Sequence, residues 1–517
     1  SVNIENGGEN MRSTFAGLNT MVSGLNANQI ALDTVGHNIT NASNEGYSRQ
    51  RANASATKPE KIYTYYGASQ LGTGTSVESI TRARDEFADR QYWKENSNLS
   101  KNEKEQYVLG KIETVFEEPS DTGFQTVLNK FWKTFQSLGT KGSDYSARVQ
   151  VRDTAKELVN SINLARTQLN DLVSDNNTGI TKKTESINQI TDEIFELNKQ
   201  IITVEGSGSG NANDLRDKRD LLVDQLSKIV NVNVSENKLG AYTINCGSMI
   251  LVNATANKTD LQTKTTTDPK YGFDILTITD NTTPTPIDLN PTGGEIKGIY
   301  DSTDNVIGCL DKLTTITAFL LNDFNNDHKA GFDLNNNAGI NFFGSDGATI
   351  DYSTLQMNTV TGNWEHSGGT VVTNKAILDE LKVNSKFDGN SGTDLIAAKS
   401  RNTEGEASGT NAVLLGEWLH KKESTGTLGG VTLDSYYTGF TGEIGTAKSA
   451  VDRNVENLTT VLTQITSWRE SVSGVNWDEE LTNMLKFQKG YSSSARVLTT
   501  MDEMLDKLIN GTGVVGR

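Results

Sequence analysis

Apolar residues recur at steps of three and four near both ends of the chain. This spacing places them on one stripe of a helix, which is typical of a helix that packs against another helix. Two such helices at opposite ends of the chain predict that the termini return to one place and pair as a coiled coil. The stripe residues are Leu18, Val22, Leu25, Leu32 and Ile39 near the N-terminus and Met484, Phe487, Tyr491, Leu498, Met501, Leu505 and Leu508 near the C-terminus.

The same periodicity continues between these ends and predicts a long antiparallel helical bundle. A glycine–serine run at 206–210 has the composition of a flexible turn between two of its helices. The predicted helices of this part lie at 82–115, 124–138, 146–172, 180–204, 214–229, 294–326 and 436–475.

Other stretches lack helical periodicity. Short β-branched runs bounded by Asn, Gly, Asp and Pro follow Val230 and predict strands. They indicate a small β domain inserted into the bundle. The polar, glycine-containing stretch at 51–81 predicts an extended, loop-rich arm with at most a short hairpin. The glycine- and asparagine-rich stretch at 328–435 predicts an irregular region.

The expected fold is therefore mainly α with a β insert. The chain divides into a polar N-terminal extension (1–10), an N-terminal coiled-coil helix (11–50), an extended linker arm (51–81), a helical bundle domain (82–230), a small β domain insert (231–293), a returning helix of the bundle (294–327), an irregular mixed region packed on the bundle (328–435), a long helix of the bundle (436–475), a C-terminal coiled-coil helix (476–510) and a free tail (511–517).

Composition narrows the function classes. A chain of 517 residues is long enough for roughly three or four domains. The formal charge of -17 argues against a nucleic-acid partner, because phosphate backbones are bound by clustered Lys and Arg. No apolar run is long enough to predict a membrane span, and the start shows no secretory signal pattern. Two cysteines, Cys246 and Cys309, could pair but cannot form a disulfide framework.

The residues that most often carry catalysis or bind metals form no recognisable constellation. The four histidines, His37, His328, His366 and His420, show no metal-ligand spacing, and we expect them at the surface or at helix caps. The loop that begins at Asp333 starts like an EF-hand calcium loop but lacks its glycine and its final glutamate, so an Asn-rich turn is favoured. We expect no catalytic residue, no metal and no cofactor.

Two terminal stretches also resemble a known family. The run from Leu32 to Gln50, which contains Asn38, Asn41, Gly46, Tyr47 and Arg49, resembles the signature of the axial proteins of the bacterial flagellum, namely the rod, hook and hook-associated proteins. Its ending, Tyr-Ser-Arg-Gln, looks like that of hook-associated members. The stretches 473–498 and 293–335 resemble the same members.

This resemblance implies a structural subunit, not an enzyme, that joins hook to filament. In the family the terminal helices form a coiled coil, copies assemble into a ring-like helical layer, and the signature turn residues fix the end of the first helix. The hook protein would lie below and a second junction protein or the filament above. The resemblance also implies an extracellular location, reached by type III export without a cleaved signal peptide, and an export chaperone at the C-terminal helices.

Three other functions remain open from the sequence. The chain could be another axial protein, such as a hook or distal rod protein, although the predicted bundle counts against these. It could also be the second junction protein, or a soluble enzyme. The high content of Asn, Ser and Thr favours a solvated outer wall, and the scarcity of cysteine suits a chain that is exported unfolded.

Overall fold

A computed structural model describes residues 16–64, 67–116, 123–208, 210–281, 285–345, 350–358, 360–366, 368–422 and 426–511. The predicted extension at 1–10 and residues 512–517 of the predicted tail (511–517) lie outside these residues.

The predicted fold class is confirmed, because long helices dominate and the sheets are small. The described helices are α1 (Ala16–Asn41), α2 (Glu86–Phe116), α3 (Phe124–Thr140), α4 (Tyr145–Gly206), α5 (Asn213–Ile229), α6 (Gly294–Phe319), α7 (Asn325–Ala330), α8 (Asn374–Glu380), α9 (Thr410–Gly416), α10 (Leu433–Ser473) and α11 (Trp477–Gly511). A π-helical turn at Leu320–Phe324 joins α6 to α7.

The strands form small antiparallel sheets. The strands β1 (Gln50–Ala56) and β4 (Thr75–Arg82) form one pair, and β2 (Glu60–Thr64) and β3 (Gly67–Leu71) form a second pair between them. The β insert contains a four-stranded sheet and a two-stranded pair, and a three-stranded sheet lies further along. These strands are β5 (Asn233–Glu236), β6 (Tyr242–Cys246), β7 (Met249–Asn253), β8 (Asn257–Lys258), β9 (Leu261–Thr267), β10 (Asp274–Asp280), β11 (Gln356–Met357), β12 (Trp364–His366) and β13 (Thr370–Val372).

The helical bundle holds the main core. Helix α2 packs against α5, α6 and α10, and α4 packs against α3, α5 and α6. Aromatic side chains fill its centre: Phe131, Trp132 and Phe135 of α3 meet Phe324 and Phe342 edge to face or at a tilt. Such ring contacts add specific geometry to the large apolar area that each side chain buries. The bundle is therefore a well-packed body from which the terminal helices extend.

Helix α4 corrects one expectation, because the helices predicted at 146–172 and 180–204 are a single helix of 62 residues. The polar residues between them suggested a break. In the structure Asn176 is buried and donates to the Thr303 hydroxyl at 3.1 Å, and Gly179 lies close to the Ile299 side chain. Tertiary partners thus satisfy the polar groups, and the helix has no reason to end there.

Asparagines of α4 attach the β insert to the bundle. The amides of Asn177, Asn188 and Asn198 each accept a backbone N–H and donate to a backbone carbonyl of the insert. At Asn188 both partners belong to Leu261, at 2.8 and 2.9 Å. A side-chain amide that makes both of these hydrogen bonds replaces the hydrogen bonds that a neighbouring strand would make. Part of the Asn content therefore lies inside the protein, whereas composition favoured a solvated wall.

The stretch predicted as a linker arm is a long β-hairpin. The inner hairpin (β1 and β4) has a bulge at Glu78 of β4, opposite Asn53 and Ala54, and continues into the outer hairpin (β2 and β3). These strands were not predicted because the stretch contains few apolar residues. Neither face of the hairpin is buried in a core, so the sequence lacks a clear alternation of apolar and polar positions.

His328 differs from its expected surface or cap position, and the open question of whether the two cysteines pair is answered. His328 is fully buried, where its Nδ1 bonds the carbonyl of Ile340 at 2.7 Å and its Nε2 accepts the N–H of Ala397 at 3.0 Å. Cys246 and Cys309 are buried and free. No helix in the described part of the chain is both long enough and apolar enough to cross a membrane.

Candidate assembly interface at the terminal helices

Helices α1 and α11 pack side by side in opposite directions, and we refer to them as the terminal pair. Gly17 lies against Met501, Gly24 against Ser494, and Gly490 against Asn28. A Cβ built on Gly17 would come within 2.4 Å of the Met501 methyl group. These glycines therefore let the two helices approach closely.

The contact line on α1 is rotated from the predicted stripe. The residues that face α11 are small or short, including Gly17 and Gly24, and buried Ala31 and Val35 continue the same face. Leu18, Leu25, Leu32 and Ile39 are half-buried beside that line, and Val22 is 38% exposed. The glycines explain the rotation, because large side chains on the contact line would hold the two helices apart.

The predicted stripe on α11 lies nearer the contact. Met484, Phe487, Tyr491, Leu498, Met501 and Leu505 are half-buried, whereas Leu508 is 57% exposed. Of the described residues of α11, only Glu480 is fully buried. The terminal pair thus has a contact line but no enclosed core.

Further apolar side chains of α11 lie outside the contact line and are exposed. Leu485 is 58% exposed and Met504 is 59% exposed. Exposed apolar side chains at such density are typical of surfaces that bind another chain. The exposed set is Trp477, Leu481, Leu485, Val497, Met504 and Ile509.

Asn38 is the centre of a joint, formed by residues 38–50 and 473–480, that connects the terminal pair to the bundle. Its side-chain oxygen accepts the N–H of Gln50 and the hydroxyl of Tyr47, both at 2.8 Å. Its amide nitrogen donates to the carbonyl of Gln50 at 2.9 Å and to the carboxylate of Glu480 at 3.1 Å. Asn38 is therefore a buried residue inside α1 that bonds both terminal segments.

Arg49 holds the beginning of α11. Its guanidinium donates from Nε to the buried Glu480 carboxylate at 2.7 Å. Its two terminal nitrogens donate to the exposed Glu479 carboxylate at 3.0 and 2.8 Å. Its backbone N–H also donates to the carbonyl of Ser473 at 2.9 Å. Such paired, charge-assisted bonds fix direction as well as contact, so Arg49 orients α11 relative to the inner hairpin.

The remaining signature residues shape the turn after α1. Asn41 ends the helix, where its amide donates to the carbonyl of His37 at 2.9 Å. Gly46 has a φ of +79°, a left-handed conformation that glycine adopts without strain. Tyr47 turns its hydroxyl back to Asn38 and to the His37 ring.

The joint is bonded to the bundle through acidic residues of α5. The N–H of Ser48 donates to Asp217 at 2.9 Å, and the amide of Gln50 donates to Asp214 at 2.8 Å. Arg82, at the end of the inner hairpin, donates to Asp217 at 2.7 Å and to Asp220 at 2.8 Å. The first residue of β1 and the last residue of β4 are therefore both bonded to one helix of the bundle.

A second set of ion pairs fastens the end of α10. Arg469 contacts Asp89 of α2 and Asp224 of α5, each at 2.9 Å, and its guanidinium lies over the Tyr92 ring. Arg84 bonds the same Asp89 at 2.7 Å. These contacts therefore fix the end of α10, where the three-residue link to α11 begins.

Electrostatics in the joint follows from these contacts. The hydrogen bond from Arg49, and then its positive charge, lower the pKa of Glu479. Burial, followed by the charges of Asp214, Asp217 and Glu480, raises the pKa of Tyr47, so the phenol stays protonated and donates. Burial alone would raise the pKa of Asp220, but the charges of Arg84, Arg82 and Arg219 hold it below its usual range.

Glu479 and Glu480 are site residues that were not predicted from the sequence. Their position at the beginning of a helix is sufficiently explained by the helix dipole, which concealed the ion pairs. The available signal was Arg49, a charged residue in a polar turn whose adjacent residues, Ser48 and Gln50, are uncharged. In the described part of the chain no three His, Cys, Asp or Glu side chains are grouped so that they could hold a metal ion.

Three family models match separate parts of the chain. Residues 109–343 match the helical domain of flagellar hook-associated protein FlgK. Residues 18–47 match the flagella basal body rod protein model, and residues 470–511 match the C-terminal model of the flagellar basal body rod FlgEFG proteins. The terminal pair and joint thus belong to the shared axial signatures, whereas the bundle is similar to hook-associated proteins.

Whole-chain relatives agree with these matches. Flagellar hook-associated protein 1 of Bacillus subtilis (strain 168) is 30% identical, over 98% of this chain and 100% of its own length. The protein of the same name from Escherichia coli (strain K12) is 26% identical, over 95% of this chain and 99% of its own. The solved flagellar hook junction protein FlgK from Burkholderia pseudomallei shares the fold, with a TM-score of 0.60 at 17% identity over 74% of this chain and 100% of its own.

Proposed function

The chain belongs to the family of flagellar hook-associated protein 1, and from that premise we propose how its terminal pair builds the junction. It is a structural protein of the flagellum, at the junction between hook and filament. The alternatives of a hook or rod protein are not favoured, because residues 109–343 match the hook-associated helical domain. We propose that copies assemble through the terminal pair, while the joint sets the angle of the bundle.

The observation that carries this proposal is the incomplete cover of α11. Its predicted stripe is half-buried against α1, and residues such as Leu485 and Met504 remain exposed on its other sides. An isolated pair of helices without an enclosed core is marginal in water. Neighbouring copies that pack their own terminal pairs alongside would cover these residues and form the layer.

Two substitutions separate contact within a copy from contact between copies. Leu498→Asp places a charge in the contact between α1 and α11, so we expect loss of both the pair and assembly, with the bundle folded. Leu485→Asp alters a residue that is exposed in the single copy, so we expect an intact pair but no assembly. Leu164→Asp in α4, where the leucine is 60% exposed, is the matched control.

The assay is addition of purified protein to isolated hooks that lack this subunit, with capped hooks counted by electron microscopy. Near-ultraviolet circular dichroism and hydrogen exchange report whether each variant is folded. Normal capping by Leu485→Asp would show that α11 is not the contact between copies.

We also propose the position and the partners of the layer. The copies form a ring-like helical layer with the hook protein below and a second junction protein or the filament above. Family membership supports assembly with hook and filament components in general. The finer arrangement is testable by the same capped hooks, because a second junction protein should add only after this layer is complete.

Export is a further part of the proposal. The chain would leave the cytoplasm unfolded through the flagellar type III apparatus and fold outside the cell, without a cleaved signal peptide. The two cysteines are free, so folding after export needs no oxidant. A dedicated chaperone would cover α11 before export, and the exposed apolar residues of that helix supply the surface. Deletion of residues 477–511 should then abolish chaperone capture while the bundle folds.

A further inference from the structure

The outer hairpin extends away from the rest of its own chain. The inner hairpin runs along α1 from the joint, and Thr20 and Ser23 fasten its far end through Thr73 and Thr75, each at 3.3 Å. Seven residues of β1 span about 23 Å, which matches the roughly 27 Å between Thr20 and Asn38 on α1. Beyond this attachment no other element in the described part of the chain packs extensively against β2 or β3.

A hairpin of two short strands is marginal in water by itself. The five-residue strands β2 and β3 are antiparallel, with Ile62 opposite Ser69 and Glu60 opposite Leu71. Opposite residues share a face, and alternate residues along a strand do too. Ile62 and Leu71 therefore lie on one face of the outer hairpin, and Gln70 lies on the other.

The geometry points to a second copy of this chain as the partner of that face. We propose that the outer hairpin is an arm that packs its Ile62–Leu71 face against the terminal pair of a neighbouring copy. This inference rests on the proposed function, since it requires terminal pairs of different copies to lie side by side.

Two observations favour the terminal pair as the docking surface. The inner hairpin follows α1, so the outer hairpin continues at the level where α1 begins and α11 ends. The antiparallel register places Met501 opposite Gly17 at that level, and Met504 is exposed one turn further on. An apolar face on the arm and an exposed apolar side chain on the pair thus occur at the same height.

Charge agrees with this arrangement. Lys58 is exposed just before β2 in a chain whose net charge is -17, whereas Lys61 lies on the Gln70 face of the outer hairpin. The last turns of α11 expose Asp502, Glu503 and Asp506. Opposite charges on the arm and on the last turns of α11 would attract copies and set their register.

Cross-linking between isotopically distinct copies tests the contact directly. Ser69→Cys places a thiol on the proposed face, and the native cysteines are buried, so a maleimide–benzophenone probe labels the new site. Labelled copies are mixed with uniformly ¹⁵N-labelled unmodified copies and assembled on isolated hooks. We expect mixed-isotope cross-links from the hairpin to peptides of 16–41 or 477–511, in assemblies and not in the free chain.

A pair of substitutions tests whether the contact is needed for assembly. Ile62→Asp should raise the concentration needed for half-maximal hook capping at least tenfold, whereas Gln70→Asp on the opposite face should change it less than twofold. Both variants should keep the unfolding transition of the wild-type bundle. Capped hooks whose cross-links stay within one copy, or equal capping by the two variants, would overturn the arm. Failure of the wild-type chain to cap hooks would instead overturn the proposed function, and the arm with it.

Discussion

The most specific prediction for the joint concerns Asn38→Asp, which replaces one atom of the side chain, the amide nitrogen, by oxygen. The lost amide nitrogen donates to the carbonyl of Gln50 at 2.9 Å and to the carboxylate of Glu480 at 3.1 Å. In the variant an oxygen faces both acceptors. An unsatisfied buried acceptor costs about 1–3 kcal/mol. Two carboxylates at this separation repel by roughly 5 kcal/mol at an effective dielectric constant of about 20.

Protonation limits that cost. A carboxyl group beside Glu480 will have a raised pKa and take up a proton, so we expect a net destabilisation of the joint of about 4 kcal/mol at pH 7. Because the folded state then binds protons more tightly than the unfolded chain, the deficit shrinks as the pH falls towards about 4.

Hydrogen exchange followed by mass spectrometry measures this change locally. Exchange in 477–490 should accelerate roughly 10³-fold, since 1.4 kcal/mol corresponds to a factor of about ten. Peptides of α3 should keep their wild-type rates. The control is Asn41→Asp, whose amide bonds only nearby groups of its own segment in the described structure, and we expect less than a tenfold effect.

A second substitution tests the cause. Glu480→Gln in the Asn38→Asp background lets the new amide accept from Arg49 and donate to the carboxylate introduced at position 38, which exchanges donor and acceptor without a change of shape. We expect it to restore at least about 2 kcal/mol, a coupling typical of groups in one network. Strictly additive effects of the two substitutions, or an Asn38→Asp joint within about 1 kcal/mol of wild type, would refute the reasoning.

Three further predictions concern residues outside the joint. Gly298→Ala should lower its unfolding free energy by about 1–3 kcal/mol, because the new Cβ would lie 2.6 Å from a backbone carbonyl of α2; Gly308→Ala, on the same helix with open space around it, should be neutral or slightly stabilising in thermal melts. Burial lowers the pKa of His328 to about 4, so the unfolded chain binds the proton first and roughly 3 kcal/mol of stability is lost as the pH falls from about 6.5 to about 4; in urea unfolding series, His328→Gln should remove that slope. Burial raises the pKa of Cys246 and Cys309 to about 12, so neither thiol should react with a maleimide at a pH of about 7.5 until the chain is denatured, and fast labelling of the native chain would contradict their burial.

Local pattern was sufficient for the fold class because most helices here bury one stripe. The bundle helices and the terminal helices all carry apolar residues at helical spacing, and tertiary packing follows that spacing. Pattern could not show that α4 continues through Asn176, because whether a polar residue ends a helix depends on a partner such as Thr303 that is distant in sequence.

The candidate site was predictable only in outline. Periodicity indicates that α1 and α11 carry apolar stripes, but it does not give the angle at which two helices meet. Gly17 and Gly24 determine that angle because they leave room for the partner helix. A pattern of apolar residues does not include glycine and therefore does not show this. The contacts of Asn38 and Arg49 with Glu480 join residues more than 400 positions apart, and no local rule connects such positions.

The antiparallel register of the terminal pair has a consequence for chain integrity. Helix α1 is the first described element to be synthesised, and its partner α11 is the last. A chain that stops before residue 477 offers α1 no partner, however well its bundle folds. Clipping the chain after Leu498 removes Met501, which leaves Gly17 bare at the opposite terminus. Only a chain that retains both α1 and α11 can thus complete the pair.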